Sequence, residues 1–228
     1  MLRSEPASSA VDPLHEVDIL AILERVNALI TGSHIVYTSG RHGSSYVNKD
    51  ALYPHTEATS QICASIAARF RAAEVAVVAG PTVGGVIMAQ WVAHHLQALT
   101  GRPVLAVYAE EEGTGAERRR VFRRGYAELL AGQRVLVVED VLTTGGSARQ
   151  VVQAVQAAGG TVVGLGALCN RGGLTAAVLE VPDFMALVNV PLESWAAAEC
   201  PLCQAGVPIN TRVGKGAAFL AQQAAARE

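Results

Sequence analysis

The chain of 228 residues carries a net charge of −2, and hydrophobic residues make up 50% of it. This charge excludes a general electrostatic attraction to nucleic acid, and the apolar fraction is sufficient for the core of a single domain. The cysteines are too few and too scattered for a disulfide framework, which fits a reducing cytoplasm. They are Cys63, Cys169, Cys200 and Cys203.

The N-terminal residues 1–12 are polar, with Ser, Glu and Pro, which predicts a disordered start and no signal peptide. Asp12 and Pro13 suit the N-cap and the first position of a helix. The apolar face of this helix is predicted to continue to Ile30, and Gly32 is predicted to end it.

The next segment, at 35–48, is predicted to form a hairpin of two strands, 35–38 and 45–48, joined through residues 39–44. The elements predicted after it are a helix at about 57–73, a strand at 75–79, a glycine-rich turn at 80–85, an apolar helix to about residue 99 and a strand at 104–109. Residues 75–101 contain no charged side chain, but their glycines, proline and histidines favour a buried strand, turn and helix over a membrane span.

Residues 110–124 are highly charged. Three consecutive acids precede five arginines, which are Arg118, Arg119, Arg120, Arg123 and Arg124. Arginine binds phosphate in a bidentate manner and keeps its charge, so these side chains are suited to a phosphorylated ligand. A solvated charged hairpin is the alternative, and the sequence alone leaves both interpretations open.

The strongest pattern in the chain lies at 135–158. Four apolar residues, 135–138, predict a buried parallel strand, which is followed by Glu139 and Asp140 and then by a turn of hydroxyl and glycine residues at 143–147. Apolar residues then recur every three or four positions, which predicts a helix over 148–158. The first amides of that helix have no intrahelical partners, and together with the helix dipole they suit a phosphate monoester.

The two acids beside this turn suit sugar hydroxyls or a hydrated magnesium ion. A ligand that combines both features is a ribose 5-phosphate. An ordinary strand-to-helix loop with exposed acids is the alternative, but it gives no reason for all these features to occur in one run.

This run closely resembles the phosphoribosyl pyrophosphate motif of the type I phosphoribosyltransferases, and it is neither a P-loop nor a dinucleotide fingerprint. The residues to which the resemblance assigns phosphoribosyl pyrophosphate binding are Glu139, Asp140, Val141, Leu142, Thr143, Thr144, Gly145, Gly146 and Ser147. The resemblance further implies that Glu139 and Asp140 are catalytic, and that Mg²⁺ is carried by the substrate rather than by a protein site.

A second resemblance, to the small hood subdomain of the orotate phosphoribosyltransferases, lies at 39–53. In that family this segment lies against the pyrimidine and the sugar phosphate. The matching residues are the turn Ser39-Gly40-Arg41 and the stretch Tyr46-Val47-Asn48-Lys49-Asp50-Ala51-Leu52-Tyr53.

Two loops depart from the family pattern. Many relatives have Tyr-Lys where this chain has Val83-Gly84, so a side-chain cation is lost and backbone amides remain for the pyrophosphate. Well-known members begin a mobile loop with Arg-Lys where this chain has Ala109-Glu110, and they carry a further Lys and a His that residues 110–124 lack. No arginine of this loop can therefore be assigned from the family motif.

Arg171 follows an apolar strand predicted at 161–169. Ligands of open α/β sheets bind beyond the carboxyl ends of the strands, so Arg171 is suited to the planar carboxylate of a substrate. The resemblance agrees, because the family places an orotate-binding Arg at this offset and an orotate-binding Thr at the position of Thr143.

The C-terminal part contains a strand predicted at 185–190, at the sheet edge or as its sixth strand, and then Cys200-x-x-Cys203. One such pair is half a zinc site, and no second pair and no His follow it. A tight turn with incidental thiols is therefore favoured over a zinc ion shared across a dimer or a redox pair.

The expected architecture is an α/β fold of the type I phosphoribosyltransferase kind: a mainly parallel twisted sheet with helices on both faces. Residues 13–228 form one domain, with a small N-terminal hood at about 13–56 plus C-terminal segments and a core at about 57–190. The resemblance implies a cytoplasmic homodimer that transfers the phosphoribosyl group from phosphoribosyl pyrophosphate to orotate in pyrimidine biosynthesis, without nucleic-acid or membrane partners. The alternatives are a phosphoribosyltransferase for a purine base and a non-catalytic nucleic-acid-binding regulator of the same fold.

Overall fold

A computed structural model describes residues 14–190 and 193–225. Its strands are β1 (Leu29–Ile30), β2 (Ile35–Val36), β3 (His42–Gly43), β4 (Tyr46–Val47), β5 (Val77–Pro81), β6 (Leu105–Glu112), β7 (Arg119–Val121), β8 (Arg134–Leu142), β9 (Thr161–Asn170), β10 (Phe184–Asn189) and β11 (Ser194–Trp195). Its α-helices are α1 (Glu16–Arg25), α2 (Lys49–Leu52), α3 (Thr56–Phe70), α4 (Gly84–Thr100), α5 (Gly146–Ala157), α6 (Ala176–Leu179), α7 (Pro201–Gln204) and α8 (Gly216–Ala225). The predicted disordered start and the predicted cap at Asp12 and Pro13 lie outside the described residues.

The centre of the molecule is a six-stranded sheet in the order β10-β9-β8-β5-β6-β7. Neighbouring strands are parallel except β7, which runs antiparallel to β6. Strand β10 lies at the edge of the sheet, which agrees with the prediction of an edge or sixth strand at 185–190. The predicted α/β fold with a mainly parallel sheet is confirmed.

Helices cover both faces of this sheet because its central strands are apolar on both faces. Alternate side chains of β8 divide between two cores, as the two-residue period of a strand requires. Leu136 and Val138 pack with α1, α3 and α4, whereas Val135 and Val137 pack with α5. All four side chains have no exposed surface.

The first helix ends earlier than the apolar pattern predicted. Helix α1 stops at Arg25, and Asn27 adopts the left-handed conformation with φ of 56°. The amide of Ala28 then donates to the carbonyl of Leu23 over 2.7 Å, a bond that closes a helix C-terminus. The prediction that the helix continues through Ile30 is wrong, because Ile30 belongs to β1.

The predicted hairpin is correct in kind but wrong in its pairing. Strand β2 pairs with β3, whereas β4 pairs with β1. A tight turn closes the hairpin early: the Tyr37 amide donates to the Arg41 carbonyl over 2.8 Å, and Gly40 has a positive φ of 76°. Strand β11 from the C-terminal segment adds to β3 on its other side, which gives a small three-stranded sheet.

Strand β8 is longer than predicted and includes the two acids. It runs to Leu142, so Glu139 and Asp140 are part of the strand rather than the residues that follow it. The carboxyl ends of β5, β8 and β9 lie side by side, and the loops after them form one edge of the sheet. Within the part of the chain that the structure describes, no helix combines the length and apolar character needed to cross a bilayer.

Candidate active site at the carboxyl ends of the strands

The turn between β8 and α5 presents free helix amides. Gly145 has a φ of 73°, a conformation that lets the chain leave the strand and enter the helix at once. The N-cap residue Gly145 has no side chain to cap α5, and the Gly146 amide makes only a long hydrogen bond of 3.4 Å to Thr144 Oγ1. The first turn of the helix therefore suits an anion. Thr143 and Thr144 in front of the helix are exposed. This geometry suits the predicted binding of a phosphate.

Glu139 and Asp140 lie below this turn and are almost fully buried, at 6% and 4% exposure. Asp140 Oδ2 accepts a hydrogen bond from the Tyr53 hydroxyl at 2.8 Å and forms an ion pair with Lys49 Nζ at 2.7 Å. Its Oδ1 accepts from the amide of Val141 at 2.6 Å. Asp140 is therefore held from two sides by residues of the segment 49–53.

The electrostatics of the acid pair follow from this burial. Burial, followed by the negative charge of Asp140, raises the pKa of Glu139 above its ordinary value. Burial lowers the pKa of Lys49, but the hydrogen bond to Asp140 and the charges of nearby acids outweigh it, so the net shift is upward. Burial and the charge of Asp140 raise the pKa of Tyr53, which keeps its hydroxyl as a donor. Lys49 and Tyr53 together compensate the charge of Asp140.

Gly84 is the residue that leaves room for this arrangement. A Cβ atom at Gly84 would overlap both Asp140 Oδ2 and the Tyr53 hydroxyl. A side chain at position 84 is thus excluded while Asp140 is held by Tyr53 and Lys49. The ammonium group of Lys49 supplies a positive charge next to this position through its ion pair with Asp140.

The glycine-rich turn before α4 is contacted by one arginine of the charged hairpin. Arg120 Nη1 donates to Thr82 Oγ1 over 3.0 Å, and the peptide bond between Thr82 and Val83 is cis. The Arg120 side chain is only 10% exposed, and its Nε is buried without a hydrogen-bond partner among the described residues. Arg120 is therefore positioned to offer a cation at this turn.

Arg120 also pairs with an acid of the hairpin, because its Nη2 lies 3.5 Å from Glu111 Oε2, and the other four arginines pair with hairpin acids as well. Their side chains are between 51% and 70% exposed, and the pairs are Arg118 with Glu111, Arg119 with Glu112, Arg123 with Glu110 and Glu112, and Arg124 with Glu110. The exposure of these four arginines fits a solvated charged hairpin. A role of Arg120 as a cation at the site stays a prediction.

A cleft of about 630 Å³ adjoins the phosphate-binding turn. Thr143 and Arg171 line it from the core, Tyr37 and Ser39 from the hood, and Ser194 and Lys215 from the C-terminal segment. The guanidinium carbon of Arg171 lies 5.0 Å from the centre of the Tyr37 ring.

The position of Arg171 follows from the register of the sheet. Leu142 pairs with Asn170, and the Arg171 amide donates to the Leu142 carbonyl over 2.8 Å, which brings Arg171 beside Thr143. The Arg171 Nε is buried and has no hydrogen-bond partner within the described part of the chain. A buried, unpaired guanidinium nitrogen at a polar cleft is suited to a planar carboxylate.

Comparison with known proteins identifies the family. The family model of the phosphoribosyl transferase domain matches residues 20–201. The chain belongs to the phosphoribosyl transferase family. Among curated relatives of this family, the orotate phosphoribosyltransferase of Pelotomaculum thermopropionicum is 38% identical, over 84% of this chain and 93% of that protein. That of Thermus thermophilus is 35% identical, over 85% of this chain and 99% of that protein.

Solved phosphoribosyltransferase structures share the fold. Orotate phosphoribosyltransferase of Mycobacterium tuberculosis in complex with 5-phospho-alpha-D-ribosyl 1-diphosphate is 27% identical, with a TM-score of 0.57 over 76% of this chain and 95% of that one. Its complex with Fe(III) dicitrate gives a TM-score of 0.59. The predicted resemblance to the orotate phosphoribosyltransferases is confirmed by these relatives.

The structure brings the predicted site residues of this phosphoribosyltransferase to one edge of the sheet. Glu139 and Asp140 lie at the end of β8, the turn 143–147 follows them, and Arg171 follows the adjacent strand. Their roles in binding and catalysis stay predictions. Sequence reasoning missed Lys49 and Tyr53, although both lie in the segment that resembles the hood; two adjacent acids in an apolar strand were the signal that a cation is needed nearby.

Proposed function

We propose that this protein is an orotate phosphoribosyltransferase, which converts orotate and phosphoribosyl pyrophosphate into orotidine 5'-monophosphate and pyrophosphate in pyrimidine biosynthesis. The observation that carries this proposal is the pairing of Arg171 with Thr143 in one cleft beside the phosphate-binding turn. This arrangement supports the proposal, because a carboxylate-bearing base in the cleft would lie next to a phosphate on the turn, as the reaction requires.

The proposed reaction is a displacement at ribose C1. A ring nitrogen of orotate forms the new bond to C1, and the bond from C1 to the pyrophosphate oxygen breaks with its electron pair leaving on pyrophosphate. The N–H of that ring nitrogen is acidic, so its proton is released to water and no strong protein base is required. Catalysis then depends on positioning the two reactants and on neutralising the leaving pyrophosphate.

Each part of the site has a role in this proposal. The amides and hydroxyls of residues 143–147 bind the 5-phosphate. Glu139 and Asp140 face the ribose hydroxyls, and Lys49 and Arg120 supply positive charge toward the pyrophosphate. Arg171 and Thr143 select the base. Mg²⁺ would be carried by phosphoribosyl pyrophosphate and would supply positive charge to the pyrophosphate group.

The proposal extends to assembly and location, which rest on the resemblance alone. The protein acts as a homodimer in the cytoplasm. Light scattering of the purified protein measures the oligomeric state. A monomer at the assay concentration contradicts the proposed homodimer.

The function is tested by a base panel. Purified protein is incubated with phosphoribosyl pyrophosphate, MgCl₂ and one base at a time, and pyrophosphate release is measured for orotate, uracil, adenine, guanine and xanthine. Release with orotate at least a hundredfold faster than with any other base is expected. Faster release with a purine identifies a purine phosphoribosyltransferase, and no release with any base contradicts the enzymatic proposal. Omission of MgCl₂ without any chelator is the matched control, and no release is expected there.

A further inference from the structure

Two histidines of the hood and two cysteines of the C-terminal segment converge at a place outside the active site. One ligand atom from each of His34, His42, Cys200 and Cys203 lies within 4.8 Å of every other. His34, His42 and Cys200 are buried, and Cys203 is exposed at the edge of the cluster. The sequence had shown only the cysteine pair, because both histidines precede it by more than 150 positions.

The distances between these atoms are close to the edges of a small tetrahedron. Cys200 Sγ and Cys203 Sγ each lie 3.6 Å from His34 Nε2, and Cys203 Sγ lies 3.4 Å from His42 Nδ1. Zinc bonds of about 2.0–2.1 Å to nitrogen and about 2.3 Å to sulfur give nitrogen–sulfur edges of about 3.6 Å. The two ring nitrogens are 2.9 Å apart, against about 3.3 Å in such a tetrahedron. A shift of a few tenths of an ångström therefore accommodates the ion.

The tautomer of His34 is fixed for coordination. Its Nδ1 lies 2.7 Å from the carbonyl oxygen of Val207, an acceptor, so Nδ1 carries the proton and donates. The lone pair of Nε2 is consequently directed at His42 and the two sulfur atoms. Metal-ligating histidines commonly donate their second ring N–H to a carbonyl or carboxylate in this way.

The surrounding backbone gives the cluster a structural role. The His42 ring packs edge-on against Phe219 with the ring centres 4.8 Å apart, which closes one side. The amide of Asn210 donates to the His34 carbonyl and that of Lys215 to the Val36 carbonyl, both over 2.7 Å. The C-terminal segment that carries these amides also contributes Ser194 and Lys215 to the cleft.

The strands that connect the hood to the C-terminal segment are short, so a metal ion between these two parts would add to their stability. Strands β2, β3 and β11 contain two residues each and come from distant parts of the chain. Strands usually contain about five to six residues, so this three-stranded sheet has few backbone hydrogen bonds of its own. Two sulfur and two imidazole ligands in a tetrahedral array select zinc among the common biological cations.

We propose that His34, His42, Cys200 and Cys203 form a structural Zn²⁺ site that fastens the C-terminal segment to the hood. All four positions are filled by protein, so the ion has no open position for substrate. The site goes beyond the proposed transferase function, and its existence does not depend on which base the enzyme uses.

The first test is metal content. The tag-free protein is reconstituted with ZnCl₂, dialysed and measured by mass spectrometry for zinc per chain. One zinc per chain is expected for the wild type and less than a tenth of that for the double variant Cys200→Ser/Cys203→Ser and for His42→Ala. Cys63→Ala and His94→Ala are the matched controls, because Cys63 is a buried core thiol and His94 an exposed histidine, and both retain one zinc.

A second test does not require any variant to fold. The wild-type protein is loaded with Co²⁺, and the visible spectrum is recorded. Intense tetrahedral d–d bands with a thiolate charge-transfer band are expected, and they disappear on addition of equimolar Zn²⁺. A weak octahedral spectrum, or a wild-type protein that retains no zinc, overturns the proposal. An intact mass lower by two hydrogens, with the two thiols unreactive to alkylation, instead identifies a disulfide and overturns it as well.

A third measurement separates this proposal from the function. Chelation of the zinc lowers the melting temperature by about 10 °C or more and raises the orotate KM, because the cleft loses a fixed wall. If the protein holds zinc but transfers phosphoribosyl to no base, only the proposed function fails. If it is active on orotate without zinc and insensitive to chelation, only the zinc site fails.

Discussion

The six-stranded sheet with its helices, called the core, and the two small sheets of β1–β4 and β11, called the hood, are stabilised in different ways. Core strands β5, β8 and β9 contain 5, 9 and 10 residues and are buried on both faces over most of their length. The hood strands β1 to β4 and β11 contain two residues each. Apolar burial is sufficient for the first region. The second depends on contacts between distant segments, among them the cluster of His34, His42, Cys200 and Cys203.

The core and the hood therefore contribute different parts of the candidate active site. The core carries the acid pair on the nine-residue strand β8 and the turn 143–147 between that strand and helix α5. The hood and the C-terminal segment provide the walls of the cleft, with Tyr37 and Lys215 among them. Substitutions in the core are therefore expected to change turnover, and those at the boundary with the hood to change the binding of the base.

The largest effect is expected from Asp140→Asn in the core. The substitution removes the charge that holds Lys49 and Tyr53 while keeping the shape of the side chain. We expect the turnover number to fall by about a hundredfold or more, with the fold retained because Lys49, at 38% side-chain exposure, can be solvated. Steady-state kinetics at saturating substrates measure this. Asp183→Asn, which affects a surface pair with Arg69, is the control, and near-normal turnover of the Asp140 variant would refute the role.

Gly84→Ala tests the contact between Asp140 in the core and Tyr53 in segment 49–53. Alanine is a better helix former than glycine, yet its Cβ would overlap Asp140 Oδ2 and the Tyr53 hydroxyl. We expect the free energy of unfolding to fall by about 2 kcal/mol, measured by urea denaturation. Gly146→Ala is the control for stability, because the nearest atom to its added Cβ is 3.6 Å away. Equal stability of the two variants contradicts the steric argument.

The core was predictable from sequence because its signals are local. The strand of residues 135–138, the turn at 143–147 and the helix after it lie in one continuous run, and each obeys the period of its element. The hood was not predictable to the same degree. Its two-residue strands are too short to show a period, and the pairing of β4 with β1 and of β11 with β3 depends on tertiary contacts.

The site shows the same division. Glu139 and Asp140, residues 143–147 and Arg171 could be predicted from motif chemistry at strand ends. The partners that hold them could not: Lys49 reaches Asp140 from a separate helix, and Arg120 reaches Thr82 from a hairpin in which four similar arginines do not. A sequence shows which side chains are charged, but only the fold shows which of them are buried.

Arg171→Ala probes the boundary of the two regions. The Arg171 guanidinium lies over the hood residue Tyr37 and lines the cleft. We expect the KM for orotate to rise at least tenfold while that for phosphoribosyl pyrophosphate changes less than threefold, because only the carboxylate contact is lost. Initial-rate measurements with each substrate varied decide this. Arg69→Ala removes an exposed arginine elsewhere and serves as the control; an equal rise for both substrates argues against base selection.

The charged hairpin gives a paired comparison of two adjacent arginines. Arg120 is almost buried and contacts Thr82, whereas Arg119 is 70% exposed and pairs with Glu112. We expect Arg120→Ala to raise the KM for phosphoribosyl pyrophosphate about fivefold, since a cation near the pyrophosphate is lost. Arg119→Ala is expected to stay within twofold, because exposed pairs contribute little. Similar effects for both variants would show that the hairpin acts through its overall charge.

The smallest effect concerns the pH dependence of stability in the core. The pKa of Glu139 is raised in the folded state, so the folded protein binds this proton more tightly than the unfolded chain does. The resulting stabilisation is complete below the ordinary glutamate pKa and is lost as the pH rises from about 4.5 to about 8. Glu139→Gln keeps an oxygen that accepts the hydrogen bond from the Asp140 amide, but residue 139 then has no carboxyl group to titrate. Between pH 5 and pH 8 we therefore expect the unfolding free energy of the wild type to fall relative to that of this variant. Parallel pH profiles in urea denaturation would instead show that Glu139 is ionised throughout, held by the positive charges of Lys49 and Arg120.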